Sequence, residues 1–365
     1  MSPQNTNLVT SSSSSIGGGK FISGNDDGSR FTTGFKAVMF CSLLALQFGL
    51  QPIIVKQFHG TRGEDIKKTT IVVATELSKI FIAAGIISSD SDSLKETKNV
   101  LSNFSIFDSL KVAALPATLY AIQNLLNQHA YQLLDATTFN LMNQTKTLSA
   151  ALFCYFILGK PQSIMQVLAL VLLLSAAVIL NVNLSGLSSG EGLFSSHVNS
   201  LGIICVTIAS CLSGLSAALT QKALTSARPR PSFFFSAELA VYGIIFLIAN
   251  AAYKNDLNSV GLNMFSKWTL TDYVPVLTNA LGGLIIGQVT KYAGGVRKGF
   301  ALIAGILVTV LFESTICNSG LIGDIISPCK QIESKTVLAF VLVSISIYLH
   351  SQFPPSNSVK KQKKA

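Results

Sequence analysis

Apolar runs of about bilayer length dominate the chain, and polar connections separate them. A helix needs roughly 20 apolar residues to cross the hydrocarbon of a bilayer. Such runs fall at 35–57, 69–88, 109–132, 135–158, 162–182, 200–223, 232–252, 272–292, 296–316 and 335–351. Only 12% of the residues are charged, 49% are hydrophobic and the mean hydropathy is +0.51. Soluble domains carry about 25% charged residues. The pattern therefore predicts an all-α polytopic membrane protein with ten transmembrane helices, residues 35–351 forming the membrane domain. Its halves, 35–183 and 200–351, would each hold five helices. Odd-numbered repeats insert in opposite orientations, which is the inverted-repeat plan of secondary transporters.

The net charge is +10. Clustered on one soluble face, it would suggest nucleic acid. Here the basic residues lie between apolar runs, so a positive-inside bias is the simpler reading and no nucleic-acid partner is expected. With ten spans, both termini share a side. That side holds 17 of the Lys and Arg residues, the opposite side holds 8, and Lys79 and Lys146 fall inside spans. Both termini are therefore expected in the cytosol. Residues 1–34 are Ser/Gly-rich and read as a disordered cytosolic tail. Their GGGK lacks the second glycine and the Ser/Thr of a phosphate loop. The basic tail 352–365 ends in KQKKA, so Lys361 and Lys363 fit the KxKxx retrieval signal, which the COPI coat reads from the cytosol. Attraction of the same lysines to anionic lipid is the plainer alternative. Cys317 and Cys329 flank one polar loop on the side opposite the termini, where an oxidising lumen would favour a disulfide.

The fourth run carries a lysine, Lys146, near its middle, at a cost of about 2.5–3.5 kcal/mol on insertion scales. At 100° per residue, Asn140, Asn143, Gln144 and Thr147 share one arc of that helix, with Lys146 about 60° beyond its edge. On the third helix Tyr120, Gln123, Asn124, Asn127 and Tyr131 share another. One or two amides would serve as interhelical glue. Two coherent stripes, one bearing a lysine, fit a water-filled cavity better. Tyrosines, amides and a fixed cation suit a nucleotide: rings stack on the base, amides pair with its edge or with sugar hydroxyls, and lysine neutralises phosphate.

Further charges lie inside spans. Glu76 and Lys79 are spaced i,i+3 and form a candidate intramembrane ion pair; structural pairing and a gating role both remain open. Gly283 and Gly287 make a GxxxG that favours close helix packing. Lys291 ends the eighth helix, and Arg297 and Lys298 open the ninth, where the helix dipole opposes a cation unless an anion binds there. The histidines are His59, His129, His197 and His350, and no metal spacing or nucleophile–base pair emerges. No enzyme activity, metal or cofactor is expected. A receptor of the endoplasmic reticulum would explain the tail but leave the lysine and the amide stripes without a reason.

The stretch LYAIQNLLNQHAYQLLDATTFNLMNQTKTLSAALFCYFILGKPQSIMQ resembles the third-to-fifth-helix signature of nucleotide-sugar transporters, in the branch with the CMP-sialic acid, UDP-galactose and UDP-N-acetylglucosamine carriers. VTKYAGGVRKGFALI is similar to the family's ninth-helix signature, and TELSK to its second-helix one. The similarity runs from about Phe35 to His350. It implies the ten-helix drug/metabolite-transporter fold and antiport of cytosolic nucleotide sugar against lumenal nucleoside monophosphate. Carried over by matched motif, Tyr120, Gln123 and Asn124 would hold the nucleoside, and Lys146 and Lys298 would contact phosphate, with Lys291 nearby. Glu238 and Tyr242 would line the opposite half of the pocket, although the family often has an amide in place of the glutamate.

Around the fourth-helix lysine the sialic-acid branch has aromatic residues, whereas this chain has Phe139, Asn140 and Asn143. FNLMNQTKT looks more like the plant and algal carriers of UDP-N-acetylglucosamine and UDP-N-acetylgalactosamine, some of which have lysine-rich retrieval tails. The resemblance therefore implies exchange of such a UDP-sugar for UMP in glycosylation, across the endoplasmic reticulum membrane. Cycling through the Golgi and homodimer formation are left open. UDP-galactose, CMP-sialic acid, or sugar phosphate exchanged for phosphate on the same fold are the alternatives.

Overall fold

The structure, a computed structural model, describes residues 25–59, 68–134, 136–181, 200–256, 260–266, 268–319 and 334–354. Residues 1–24, Cys329 and the retrieval lysines Lys361 and Lys363 lie outside these ranges, as does the side chain of Cys317. Among the described residues all regular structure is helical. Seven helices are long and apolar enough to cross a membrane, or eight if one sharply bent pair counts as a single span. The chain is thus a multi-pass membrane protein, and length and composition alone do not reach ten spans.

Helix α1 (Asn25–His59) starts inside the segment expected to be tail and continues through Pro52. Helix α2 (Lys68–Ser89) follows, then α3 (Ser91–Ser102), within the polar connection between the second and third apolar runs. Asp90 caps α3 by accepting from the backbone N–H of Ser93 at 3.1 Å, satisfying one orphan donor of the first turn. The chain then bends by 114° into the third apolar run. That run is α4 (Ile106–Ser109), a π turn (Leu110–Ala114) and α5 (Leu115–Leu133). Pro116 sits at the start of α5. In an α-helix its ring would clash with the carbonyl four residues back, and the wider π turn lets the chain pass without a break.

The fourth run is not one helix. It divides at Gln144 into α6 (Ala136–Asn143) and α7 (Thr145–Leu158). Gly159 ends α7 in the left-handed region at φ +62, where its N–H reaches the Tyr155 carbonyl at 3.0 Å; glycine adopts that conformation without the steric cost of a side chain. The remaining helices are α8 (Ile164–Asn181), α9 (Ser200–Thr225), α10 (Ser232–Tyr253), α11 (Tyr273–Tyr292), α12 (Gly295–Ser319) and α13 (Ser334–Gln352).

Helix α9 packs against α5 and α7, while α1 packs against α11 and α12. Helix α2 pairs with α10, and α8 with α13. The close contacts use glycine. A Cβ on Gly214 of α9 would lie 2.4 Å from the Ser149 backbone of α7, and one on Gly49 of α1 would lie 2.6 Å from the Gly305 carbonyl oxygen of α12. Small residues at such crossings let backbones approach where lipid removes the hydrophobic drive for association. Between α8 and α13, Ala169, Leu173 and Ala176 bury against Ala339 and Val343. The outer surface carries large apolar side chains, including Phe81 at 73% and Ile164 at 87% exposure, as a surface facing hydrocarbon requires.

Candidate functional site

The break at Gln144 decides where the lysine of the fourth run goes. It places Lys146 in the first turn of a helix rather than in the middle of one. Helix α12 begins in the same way. Gly294 turns the chain at φ +90, and the first N–H of α12, on Gly295, donates to Gln221 Oε1 at 2.9 Å. Lys298 follows within the first turns. The two helix starts meet: a Cβ on Gly299 would lie 2.6 Å from Thr147 Cγ2.

A cavity of about 170 Å³ lies between them. Helix α7 contributes Lys146, Thr147 and Ala150, and α12 contributes Gly295, Lys298, Gly299 and Leu302. Tyr120 and Gln123 enter from α5, and Ser213 and Ala217 from α9. Lys298 Nζ lies 5.8 Å from the centroid of the Tyr120 ring. Lys146 and Lys298 line this one cavity from opposite helix starts. Neither ammonium has a carboxylate partner among the described residues. Gln123 Oε1 is buried without a hydrogen-bond partner, and so is Asn127 Oδ1 one turn further on. Two unpaired cations facing a hydroxyl-bearing ring and an unsatisfied amide can accept a multivalent anion with an attached polar ring system.

Tyr120, Gln123, Lys146 and Lys298 are therefore brought together, and other expected site residues are not. Asn124 is exposed and Asn143 half-buried, and neither lines the cavity; the side chain of Asn140 lies outside the described residues. Glu238 and Tyr242 belong to a different cluster. Ser109 Oγ donates to Glu238 Oε1 at 2.7 Å and accepts from Tyr242 Oη at 3.0 Å. Arg230 pairs with Asp108 and places Nε 3.8 Å from Glu238 Oε2. This network ties α4 to the start of α10 and does not face the cavity. Lys291 lies over the Tyr292 ring, 5.5 Å from its centroid, and Lys36 approaches the same ring at 5.6 Å.

Glu76 and Lys79 do form their ion pair, at 2.6 Å. Its position explains Gly283: a Cβ there would lie 2.7 Å from Lys79 Cδ. Gly287 makes room for Ser236 Oγ, which a Cβ would approach to 2.8 Å. The expected GxxxG thus clears space for side chains of α2 and α10. Ser213 and Ala217 were not singled out from sequence. Their only signal is the run of small residues SGLSAAL on α9.

These features define a polytopic helical protein with a cationic cavity inside the bundle. The sequence profile of the nucleotide-sugar transporter family matches residues 32–348. The chain is 34% identical over 330 residues to the UDP-N-acetylglucosamine transporter ROCK1 of Arabidopsis thaliana, covering 90% of this chain and 96% of that one. It is 31% identical over 289 residues to the human UDP-N-acetylglucosamine transporter, covering 76% and 87%. It is 27% identical to the UDP-galactose/UDP-N-acetylglucosamine transporter srf-3 of Caenorhabditis elegans, covering 73% and 72%. A solved protein structure at 12% identity superposes with a TM-score of 0.58 over 87% of this chain and 99% of its own, a likeness of fold. The chain belongs to the nucleotide-sugar transporter family, and it is a transporter rather than an enzyme.

Proposed function

We propose that this transporter carries UDP-N-acetylglucosamine or UDP-N-acetylgalactosamine in exchange for UMP by alternating access. The observation that carries the reading is the pair Lys146 and Lys298, two ammonium groups on one cavity with no carboxylate partner among the described residues. Holding them there unpaired is costly, and a passing phosphate group offsets that cost. Tyr120 stacks on the uracil and Gln123 supplies an amide to its edge. The names of the relatives favour a UDP-sugar.

Exchange follows from the same electrostatics. An empty cavity would cross with two repelling, unneutralised cations, so return with a bound nucleotide is favoured over return without one. The packing pattern supports the two-repeat reading. Shifting each apolar run by five exchanges the α9–α5 and α9–α7 contacts with the α1–α11 and α1–α12 contacts, and it leaves the α2–α10 and α8–α13 pairs on themselves. Broken or short helices whose N-termini face an anionic substrate recur in transporters with inverted repeats. This accounts for α6 and α7 falling short of a full span while still making up one crossing in a ten-helix plan. The Lys/Arg asymmetry supports cytosolic termini. Lys361 and Lys363 would then return the carrier to the endoplasmic reticulum through the COPI coat.

The test is uptake into proteoliposomes preloaded with UMP, offered a panel of UDP-, GDP- and CMP-sugars. UDP-N-acetylhexosamine uptake should be stimulated by internal UMP and lost in Lys146→Ala. Stimulation by inorganic phosphate instead of UMP would favour a sugar-phosphate exchanger and overturn this reading.

A further inference from the structure

A second cavity, of about 260 Å³, opens between α1, α12 and α13. Its wall is largely apolar and rich in alanine, with Ala37 and Ala45 on α1 and Ala301 and Ala304 on α12, and Ser42 and Ser351 also line it. Its apolar rim includes Val38, 67% exposed, and Ile347, 43% exposed. The neighbouring outer surface carries Phe35 and Tyr348, both more than half exposed. In a multi-pass protein such a surface faces hydrocarbon, so the mouth opens sideways into the bilayer.

Two polar groups stand at one end. Arg297, in the first turn of α12, is exposed and has no carboxylate partner among the described residues. His350, in the last turn of α13, is only 6% exposed, with its ring 4.7 Å from that of Phe300. Its Nε2 is buried without a hydrogen-bond partner. A buried polar atom left unpaired is destabilising, so this imidazole points to a ligand rather than to packing. Both residues line the same cavity as the alanines.

The occupant must therefore be apolar along its length, anionic at one end, and reach the site from the membrane. Burying a hydrocarbon chain here gains little over bulk bilayer, because lipid tails are as apolar as the wall. Selection has to come from the polar end. We propose that this groove binds one anionic glycerophospholipid. Arg297 pairs with the phosphate, His350 Nε2 hydrogen-bonds a phosphate or ester oxygen, and an acyl chain runs along the alanine wall. From Arg297 to Ala304 the groove follows α12 for about 10 Å. The next residue, Lys298, lines the central cavity instead, so α12 presents adjacent cations to two separate sites. The proposal does not depend on which substrate is carried.

The test is native mass spectrometry of the full chain released from micelles holding equal amounts of dioleoyl phosphatidylserine and dioleoyl phosphatidylcholine. One phosphatidylserine should be retained per chain, preferred by about five-fold or more, as expected for one basic group meeting anionic lipid. Arg297→Gln should bring the preference close to parity with unchanged lipid-free Tm, and Ala304→Phe should lower retention of both lipids. If Ala304→Phe does not fold, Arg297→Gln decides alone. Equal retention of the two lipids by the wild type would overturn the proposal, as would an undiminished preference in Arg297→Gln. So would a dimer that Ala304→Phe splits, since the groove would then hold a second copy.

Discussion

Lys298 Nζ stands 5.8 Å from the centroid of the Tyr120 ring, joining the start of α12 to the second turn of α5 across the cavity. A cation at that distance is drawn to the ring face, an attraction of about 0.5–1 kcal/mol where water still reaches it. The ring, not the hydroxyl, supplies it. Tyr120→Phe should therefore bind UDP-sugar nearly as well as the wild type. Tyr120→Leu should raise the KM of exchange by about two- to fivefold, more if stacking on the base is lost as well. Equal KM values for the two variants would show that the ring faces neither the lysine nor the ligand.

The crossing of α7 and α12 leaves no room for a methyl group. A Cβ on Gly299 would lie 2.6 Å from Thr147 Cγ2 and 2.7 Å from its Oγ1, and overpacking of this kind costs about 1–3 kcal/mol. Gly299→Ala should lower the Tm in detergent, and adding Thr147→Ala should recover part of the loss. If the double variant is no more stable than Gly299→Ala, the contact is not where the strain arises.

Much of this cavity was legible in the sequence, because a lysine inside an apolar run is costly and angular spacing alone puts Tyr120 and Gln123 on one face. The break at Gln144 was not. NLMNQTKT keeps helical spacing through the break and has no proline or glycine to announce it. For the cluster around Glu238 the obstacle is different. The partner of Glu238, Ser109, is 129 residues away, and Arg230 lies in sequence between two apolar runs, with nothing local to tie it to Glu238. Angular position also says nothing about depth, which is why Asn124 shares the arc of Tyr120 and yet is exposed outside the cavity.

Asp90 offers a pH test outside the membrane spans. Hydrogen bonds from the Ser93 hydroxyl, and then from its backbone N–H, hold the Asp90 carboxyl below its ordinary value. A depressed folded-state value means that the cap's contribution is present above the unfolded value, near 3.8, and is lost as pH falls through the folded one. Protection of the α3 amides, measured as exchange relative to each amide's intrinsic rate at the same pH, should fall over that acid window in the wild type. Asp90→Asn, which still accepts through its side-chain oxygen, should flatten the response, and a wild-type profile in that variant would remove the cap from the explanation.

The charge cluster at the start of α10 should be the most sensitive polar element away from the cavity. The side chains of Arg230 and Glu238 are 9% and 7% exposed, whereas Asp108 is 61% exposed. Removing one partner of a buried pair leaves the other charge unpaired, at about 3–5 kcal/mol, whereas water can take over at an exposed one. Arg230→Met should therefore lower Tm sharply and Asp108→Asn only slightly. The double variant Arg230→Met/Glu238→Gln should recover much of the loss, because it removes the stranded carboxylate while Ser109 still donates to the amide oxygen. If the double variant falls as far as Arg230→Met alone, the arginine acts through packing of its side chain and the electrostatic account of this cluster fails.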